Sequence, residues 1–337
     1  MNDGKGKVSR FAVSVACAGL LAATLTGCGG GQQPPPNDPS DPPLDSGGGE
    51  ATPASSAKVR EGMDAIEAQD FATAKAALME AQAADPSDPQ ATYYLGVAHE
   101  GLGELDEAQA QYEKALELDP NLIEAAINLS GMLIDKEEGE AAVKVVEAAL
   151  PKAPDDKNLL MNHALALELA GDTDGAVAAY AKVVEKSPDD VQLRLAYVQV
   201  LAAAGKADAA KAQIAKLGEI SDPKLARALA QVELKLEMLD ECVALLDGVI
   251  AKQATPDLHL SRATCRLAKK DTKGAESDYR ASTKLDPNFA PGYFYLGLLL
   301  KQAGKKQDAK KAFEKVVEVA GAGSRPAEEA KKQLEQL

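Results

Sequence analysis

Residues 89–122 read PQATYYLGVAHEGLGELDEAQAQYEKALELDPNL, and this stretch decides the fold. Apolar or small side chains recur at Tyr94, Leu95, Ala98, His99 and Leu102, and again after Gly103 at Leu105, Ala108, Tyr112, Ala115 and Leu116. That spacing of three and four residues in two blocks predicts two antiparallel helices. Gly103 is placed to end the first, Asp106 to cap the second and Pro120 to stop it. Gly96 and Ala108 fall where the two helices must cross, so their smallness is a packing requirement.

A 34-residue ruler laid along the chain from this stretch finds the same pattern eight times. The crossing-point alanine recurs as Ala74, Ala108, Ala142, Ala176, Ala210, Ala275 and Ala309, with Cys242 as the one substitute. The facing position reads Gly62, Gly96, Ser130, Ala164, Val198, Ala230, Ala263 and Gly297. One turn beyond the alanine stand Leu78, Tyr112, Val146, Tyr180, Ile214, Leu246, Tyr279 and Phe313. In its Leu95, Gly96, Ala108, Tyr112, Ala115 and Pro120 the stretch resembles the tetratricopeptide repeat, with Thr92 where that family often has Trp. The resemblance implies an all-α fold, an α-solenoid of about eight helix-turn-helix repeats. The units are 55–88, 89–122, 123–156, 157–190, 191–222, 223–255, 256–289 and 290–323. Residues 324–337 are expected to form a capping helix, with Ser324 as its N-cap. Units five and six are short, and a change in the stack is expected there. Unit one opens on Ser55 and Ser56 and carries Glu61, as a terminal repeat with one face in water would.

Residues 1–27 look like a bacterial lipoprotein signal peptide. Lys5, Lys7 and Arg10 precede an apolar run that ends in Leu25-Thr26-Gly27-Cys28. That ending resembles a lipobox, which implies acylation of Cys28 and attachment to a lipid bilayer. An ordinary secretory signal with an incidental cysteine is the alternative. Gly29, where a retention signal for the inner membrane would have Asp, implies the outer membrane, facing the periplasm. Residues 28–54, rich in Gly, Pro, Ser and Asp, are expected to be a disordered tether that reaches on the order of 80 Å when stretched.

The composition points away from several functions. A net charge of −15 disfavours a nucleic-acid partner. His99, His163 and His259 stand in different repeats without companions at ligand spacing, so no metal site is expected. Phosphate-binding loops and nucleophile elbows are absent, and neither catalysis nor a cofactor is expected. Cys242 and Cys265 sit at small-residue core positions and are expected as buried thiols, a disulfide being the alternative.

What remains is surface. By the resemblance, first-helix positions 2, 5, 9, 12 and 13 line an inner face. Position 5 reads Val59, Tyr93, Ile127, Met161, Leu195, Arg227, Leu260 and Phe294, an almost unbroken apolar ladder that should meet an amphipathic helix or extended peptide of a protein partner, or its own superhelix curling tightly. Arg227→Glu is expected to change binding and leave melting alone. Asn128 and Asn162, at position 6 of successive units, suit bonding to a peptide backbone, though asparagine is also simply common there. Charge runs from acidic to basic. Residues 28–157 hold 8 basic against 26 acidic side chains, residues 258–337 hold 16 against 10. Solvated helix faces account for this. The sharper alternative gives Lys269, Lys270, Lys273, Lys305, Lys306, Lys310 and Lys311 an anionic partner. The expected function is a membrane-anchored, non-enzymatic scaffold in a bacterial cell envelope. Narrower alternatives are an assembly factor for pili, secretion or barrel proteins, and an accessory subunit of a periplasmic glycan or polysaccharide enzyme complex.

Overall fold

A computed structural model describes residues 53–321 and 323–337, which hold seventeen α-helices and no strand. Cys28 and the expected signal peptide lie outside these residues. Residues 53–152 form one compact unit of three hairpins. These pair α1 (Pro53–Glu67) with α2 (Phe71–Ala84), α3 (Pro89–Gly101) with α4 (Leu105–Leu118), and α5 (Ile123–Asp135) with α6 (Gly139–Ala149). Residues 153–337 form a second unit of five hairpins and a closing helix. Its pairs are α7 (Lys157–Leu169) with α8 (Thr173–Lys186), α9 (Val191–Ala203) with α10 (Ala207–Ile214), α11 (Pro223–Lys235) with α12 (Leu239–Lys252), α13 (Pro256–Ala268) with α14 (Thr272–Leu285), and α15 (Ala290–Gln302) with α16 (Lys306–Ala320). Helix α17 (Arg325–Glu335) packs on α16. The expected eight helical hairpins and C-terminal helix are therefore present. Within each unit the contacts run between helices one or two apart in sequence, as a solenoid requires.

Every hairpin turns at the same place. Gln69, Gly103, Glu137, Gly171, Gly205, Glu237, Lys270 and Gly304 occupy position 15 of their units, and all have positive φ. Four glycines take this left-handed step freely, whereas the other four pay a steric cost for it. Helix starts are capped by short acids. The side chains of Asp70, Asp88, Asp156, Asp172, Asp190, Asp222 and Asp271 each accept a bond from a backbone N–H of the first turn, and Ser324 does so for α17. Asp106 does not cap α4. The helix begins one residue earlier, at Leu105, and Asp106 reaches Lys136 of the next hairpin instead (2.9 Å).

The packing positions behave as their sizes demand. All seven crossing-point alanines and Cys242 are fully buried. Opposite them, a Cβ added to Gly96 would lie 2.7 Å from the Tyr112 ring, and one added to Gly297 would lie 2.7 Å from Phe313. It is the large residue of the second helix that claims the space left by glycine. Tyr112, Tyr180, Tyr279 and Phe313 are the largest fully buried side chains and anchor the second, fourth, seventh and eighth hairpins.

Two features depart from the sequence expectation, and a third falls where a change in the stack was expected. Helix α1 begins at Pro53, and Ser55 is buried, its hydroxyl donating to Asp88 Oδ2 (3.3 Å), so this side of the first repeat is not turned to water. The two residues missing from unit five are taken from its second helix. Helix α10 has only eight residues, and a non-helical stretch follows in which Ile220 is buried in the core. Finally, Cys242 on α12 and Cys265 on α13 are joined in a disulfide, with Cα atoms 6.2 Å apart, correcting the expectation of two free thiols. Adjacent hairpins bring these two core positions within bonding reach.

Candidate partner-binding face

The first helices carry the ladder expected at position 5, and the structure places most of it half in water. Val59 and Ile127 are half-buried on either side of the buried Tyr93 in the first unit. In the second unit Met161, Leu260 and Phe294 are half-buried, and Leu195 is buried. None of these side chains is fully exposed, because each also packs within the stack. Phe294 meets Phe313 edge-on, with ring centroids 5.9 Å apart, and Leu195 belongs to a core cluster with Ile220, Leu229 and Leu246. Arg227 is half-buried and pairs with Asp257 of the next hairpin at 3.3 Å. The Arg227→Glu change therefore breaks an ion pair and sets two acids together, so its effect extends to stability. Asn162 is half-buried and already engaged within the protein.

Asn128 has a specific task that the sequence did not reveal. Its Nδ2 donates to the Tyr112 hydroxyl (3.2 Å), which donates to Glu100 Oε2 (2.6 Å). Three successive helices of the first unit, α3, α4 and α5, are thereby linked by one polar chain. Burial first, and then Glu100 beside it, push the Tyr112 phenol well above its ordinary value. Tyr180 repeats part of the device, donating to Glu168 at 3.0 Å. Burial raises the Glu168 carboxyl above the usual range, although this bond opposes the shift. In the last repeats the same contact is aromatic. Tyr279 stacks on the exposed Tyr295, which stands where Asn128 stands in its unit, at 6.0 Å.

Most of the candidate basic patch is committed inside the protein. Lys269 pairs with Asp240, Lys305 with Glu276 (3.0 Å) and Lys310 with Glu314 (3.8 Å), while Lys306 donates to the Leu337 carbonyl (2.7 Å). Lys270, Lys273 and Lys311 are left without an anionic partner among the described residues. Lys311 borders a cavity of about 380 Å³ that Arg280, Tyr293, Leu296 and Lys315 also line.

Two buried polar groups have no counterpart in the sequence reading. Asp278 on α14 is almost wholly enclosed, with His259 Nδ1 at 3.0 Å, Arg262 Nη2 at 2.5 Å and Arg266 Nη1 at 2.8 Å, all from α13. Arg262 also reaches Asp247 of α12 (2.5 Å). Burial raises the Asp278 carboxyl, but His259 and the two guanidiniums outweigh it and hold the group below the usual carboxylate range. Glu233 on α11 is the opposite case. It is buried, its Oε2 lacks a hydrogen-bond partner among the described residues, and burial followed by the nearby Glu241 pushes its pKa up to about 7. A one-dimensional pattern of charges gives no sign of either, since both depend on which side chains the two helices of a hairpin enclose between them. No three His, Cys, Asp or Glu side chains among the described residues are grouped as a metal ion would need. No helix among them is long and apolar enough to cross a membrane.

Family models described as Tetratricopeptide repeat match residues 59–123, residues 102–164 and 167–223, and residues 292–319, together more than half of the chain. No curated protein matches the sequence. Among solved structures the chain is similar to MamA, residue 41 to the end, from Desulfovibrio magneticus RS-1, at 20% identity over 50% of this chain and 95% of that one, with a TM-score of 0.46. It is similar to a tetratricopeptide repeat protein from Parabacteroides merdae at 17% identity, covering 84% of this chain and 98% of the other, with a TM-score of 0.44. Yeast Tom70 shares 15% identity over 88% of this chain and 66% of its own, with a TM-score of 0.46.

Proposed function

The chain belongs to the tetratricopeptide repeat family, and from that premise we propose that it is a non-enzymatic scaffold that holds protein or peptide partners on the first-helix faces of its repeats. The observation that carries this reading is the half-buried state of Val59, Ile127, Met161, Leu260 and Phe294. Apolar side chains held in register at the surface gain further burial only from a partner. A photo-crosslinking residue placed at Ile127 or Met161 in intact cells should capture a discrete protein, whereas one at Lys182, exposed on a second helix, should not. Equal capture from all three positions would sink the reading.

The proposal includes an acylated Cys28 that anchors the chain in a bacterial envelope, in the outer membrane and facing the periplasm. Its support is the run Leu25-Thr26-Gly27-Cys28 and the Gly29 that follows. Cys28→Ser should move the protein from the membrane fraction to the soluble one, and retention in the membrane would refute the anchor. Assembly of pili, secretion machinery or barrel proteins and support of a glycan enzyme complex are narrower forms of the same role. The captured partner distinguishes them.

A further inference from the structure

The first-helix faces of the two units carry charges of opposite sign. At positions 2, 5, 9, 12 and 13 of the first three hairpins stand Glu67, Glu100, Glu124 and Asp135, with no lysine or arginine. The same positions of the other five hold Lys224, Arg227, Lys235 and Lys301 against Glu168 and Asp257. In the first unit, carboxylates from three successive repeats gather around an aromatic pair. Tyr93 and Tyr94 lie with ring centroids 5.0 Å apart. Glu124 and Glu100 are within electrostatic reach of Tyr93, and Glu124 and Glu67 of Tyr94. Three of the unit's six lysines pair with other acids, Lys58 with Glu61 and Glu80, Lys75 with Glu104 and Lys136 with Asp106. Glu67, Glu100 and Glu124 have no cationic partner among the described residues. Glu67 and Glu124 are exposed, and between the acids run the half-buried Val97, Ile127 and Tyr94.

Resting on the reading of this face as the binding surface, we propose that the first-helix face of residues 53–152 takes a cationic segment of a partner protein, in which lysine or arginine alternates with apolar side chains. The apolar residues of such a segment cover Val97 and Ile127. Its cations lie among Glu67, Glu100 and Glu124 and over the part of the Tyr94 ring that faces water. An acidic segment meets like charge along the whole face and is rejected.

The test uses the full chain and two fluorescent probes, a short peptide of alternating leucine and lysine and its counterpart of alternating leucine and glutamate. The lysine peptide should bind, weaken with added salt, and lose about tenfold in affinity to the double variant Glu67→Gln/Glu124→Gln, whose changes lie on exposed side chains. The glutamate peptide should bind at least about tenfold more weakly than the lysine peptide. Equal binding of both peptides, each lost in an Ile127→Asp variant of unchanged helix content, would overturn the charge preference and leave the face as a binding surface. Binding of the lysine peptide that is indifferent to the double variant would place the site elsewhere and overturn the proposal, as would binding of neither peptide. Self-association of the chain that disappears in the double variant would make a second copy the occupant and overturn the reading of a foreign partner.

Discussion

Position 15 of each hairpin shows how one residue sets a local cost. Glu137 adopts a left-handed backbone (φ 60°) that glycine adopts without strain, and its side chain is exposed. Glu137→Gly should therefore stabilise the protein by about 1 kcal/mol, read as a rise in the urea midpoint. Gly96 is the reverse case, since even one added carbon meets the Tyr112 ring. Ala108→Leu, at a fully buried crossing point of the same hairpin, should cost about 1–3 kcal/mol, and an unchanged melting curve would count against the register. Glu233 makes a prediction about pH. Its folded pKa, about 7, lies above the ordinary 4.5, so the native state holds the proton more tightly than the unfolded chain does. Its contribution is most favourable below the unfolded value and is lost as pH rises through about 7, a change on the order of 3 kcal/mol. Glu233→Gln should flatten that slope and leave the variant more stable than the parent at pH 8, as urea titrations at pH 5 and pH 8 would show.

Among elements, neighbouring hairpins are joined by a recurring set of ion pairs. Asp106, Asp174 and Asp240, equivalent residues near the start of α4, α8 and α12, meet Lys136, Lys206 and Lys269 of the following hairpins. Each such pair is exposed on one side and contributes at most about 1 kcal/mol. The links around α13 are stronger. The disulfide ties it to α12, and mass spectrometry of the unreduced digest should find Cys242 and Cys265 on linked peptides. Replacing both cysteines with alanine should cost about 2–4 kcal/mol. Removing the enclosed anion of the α13–α14 cluster is comparably damaging, and Asp278→Ala should cost about 1.5–3 kcal/mol, because Arg262 and Arg266 lose their charged hydrogen bonds to it while keeping Asp247. Helix α10 stands at the other extreme. With eight residues and one fully buried side chain, Ala210, it should exchange its amide hydrogens fastest among the helices of the second unit.

At the scale of the whole molecule, the net charge of −15 is concentrated in residues 28–157, where acids outnumber bases more than threefold. Acids on adjacent repeats repel one another at low ionic strength. Raising salt to the physiological range should therefore raise the melting temperature, and a fall would mean that surface ion pairs outweigh the repulsion. The opposite signs of the two first-helix faces make the units electrostatically different, although both are built from one repeat.

The number of hairpins, their turns and their core positions were legible in the sequence, because each rests on residues less than one repeat apart. A small side chain must face a large one within a hairpin, and that need is written at fixed spacing from Gly62–Leu78 to Gly297–Phe313. The exposure of the binding face was legible only in part. Tyr93 and Leu195 obey the same periodicity as Val59 and Met161 yet are buried, since burial there depends on how the next hairpin leans. Only the tertiary structure decided the cluster around Asp278, the Cys242–Cys265 bond, the Glu100–Tyr112–Asn128 chain and the carboxylates around Tyr93 and Tyr94. Each joins side chains of different helices, within one repeat around Asp278 and across repeats in the other three. Repeat spacing says that such residues share a face, but stacking and rotamers determine which of them touch.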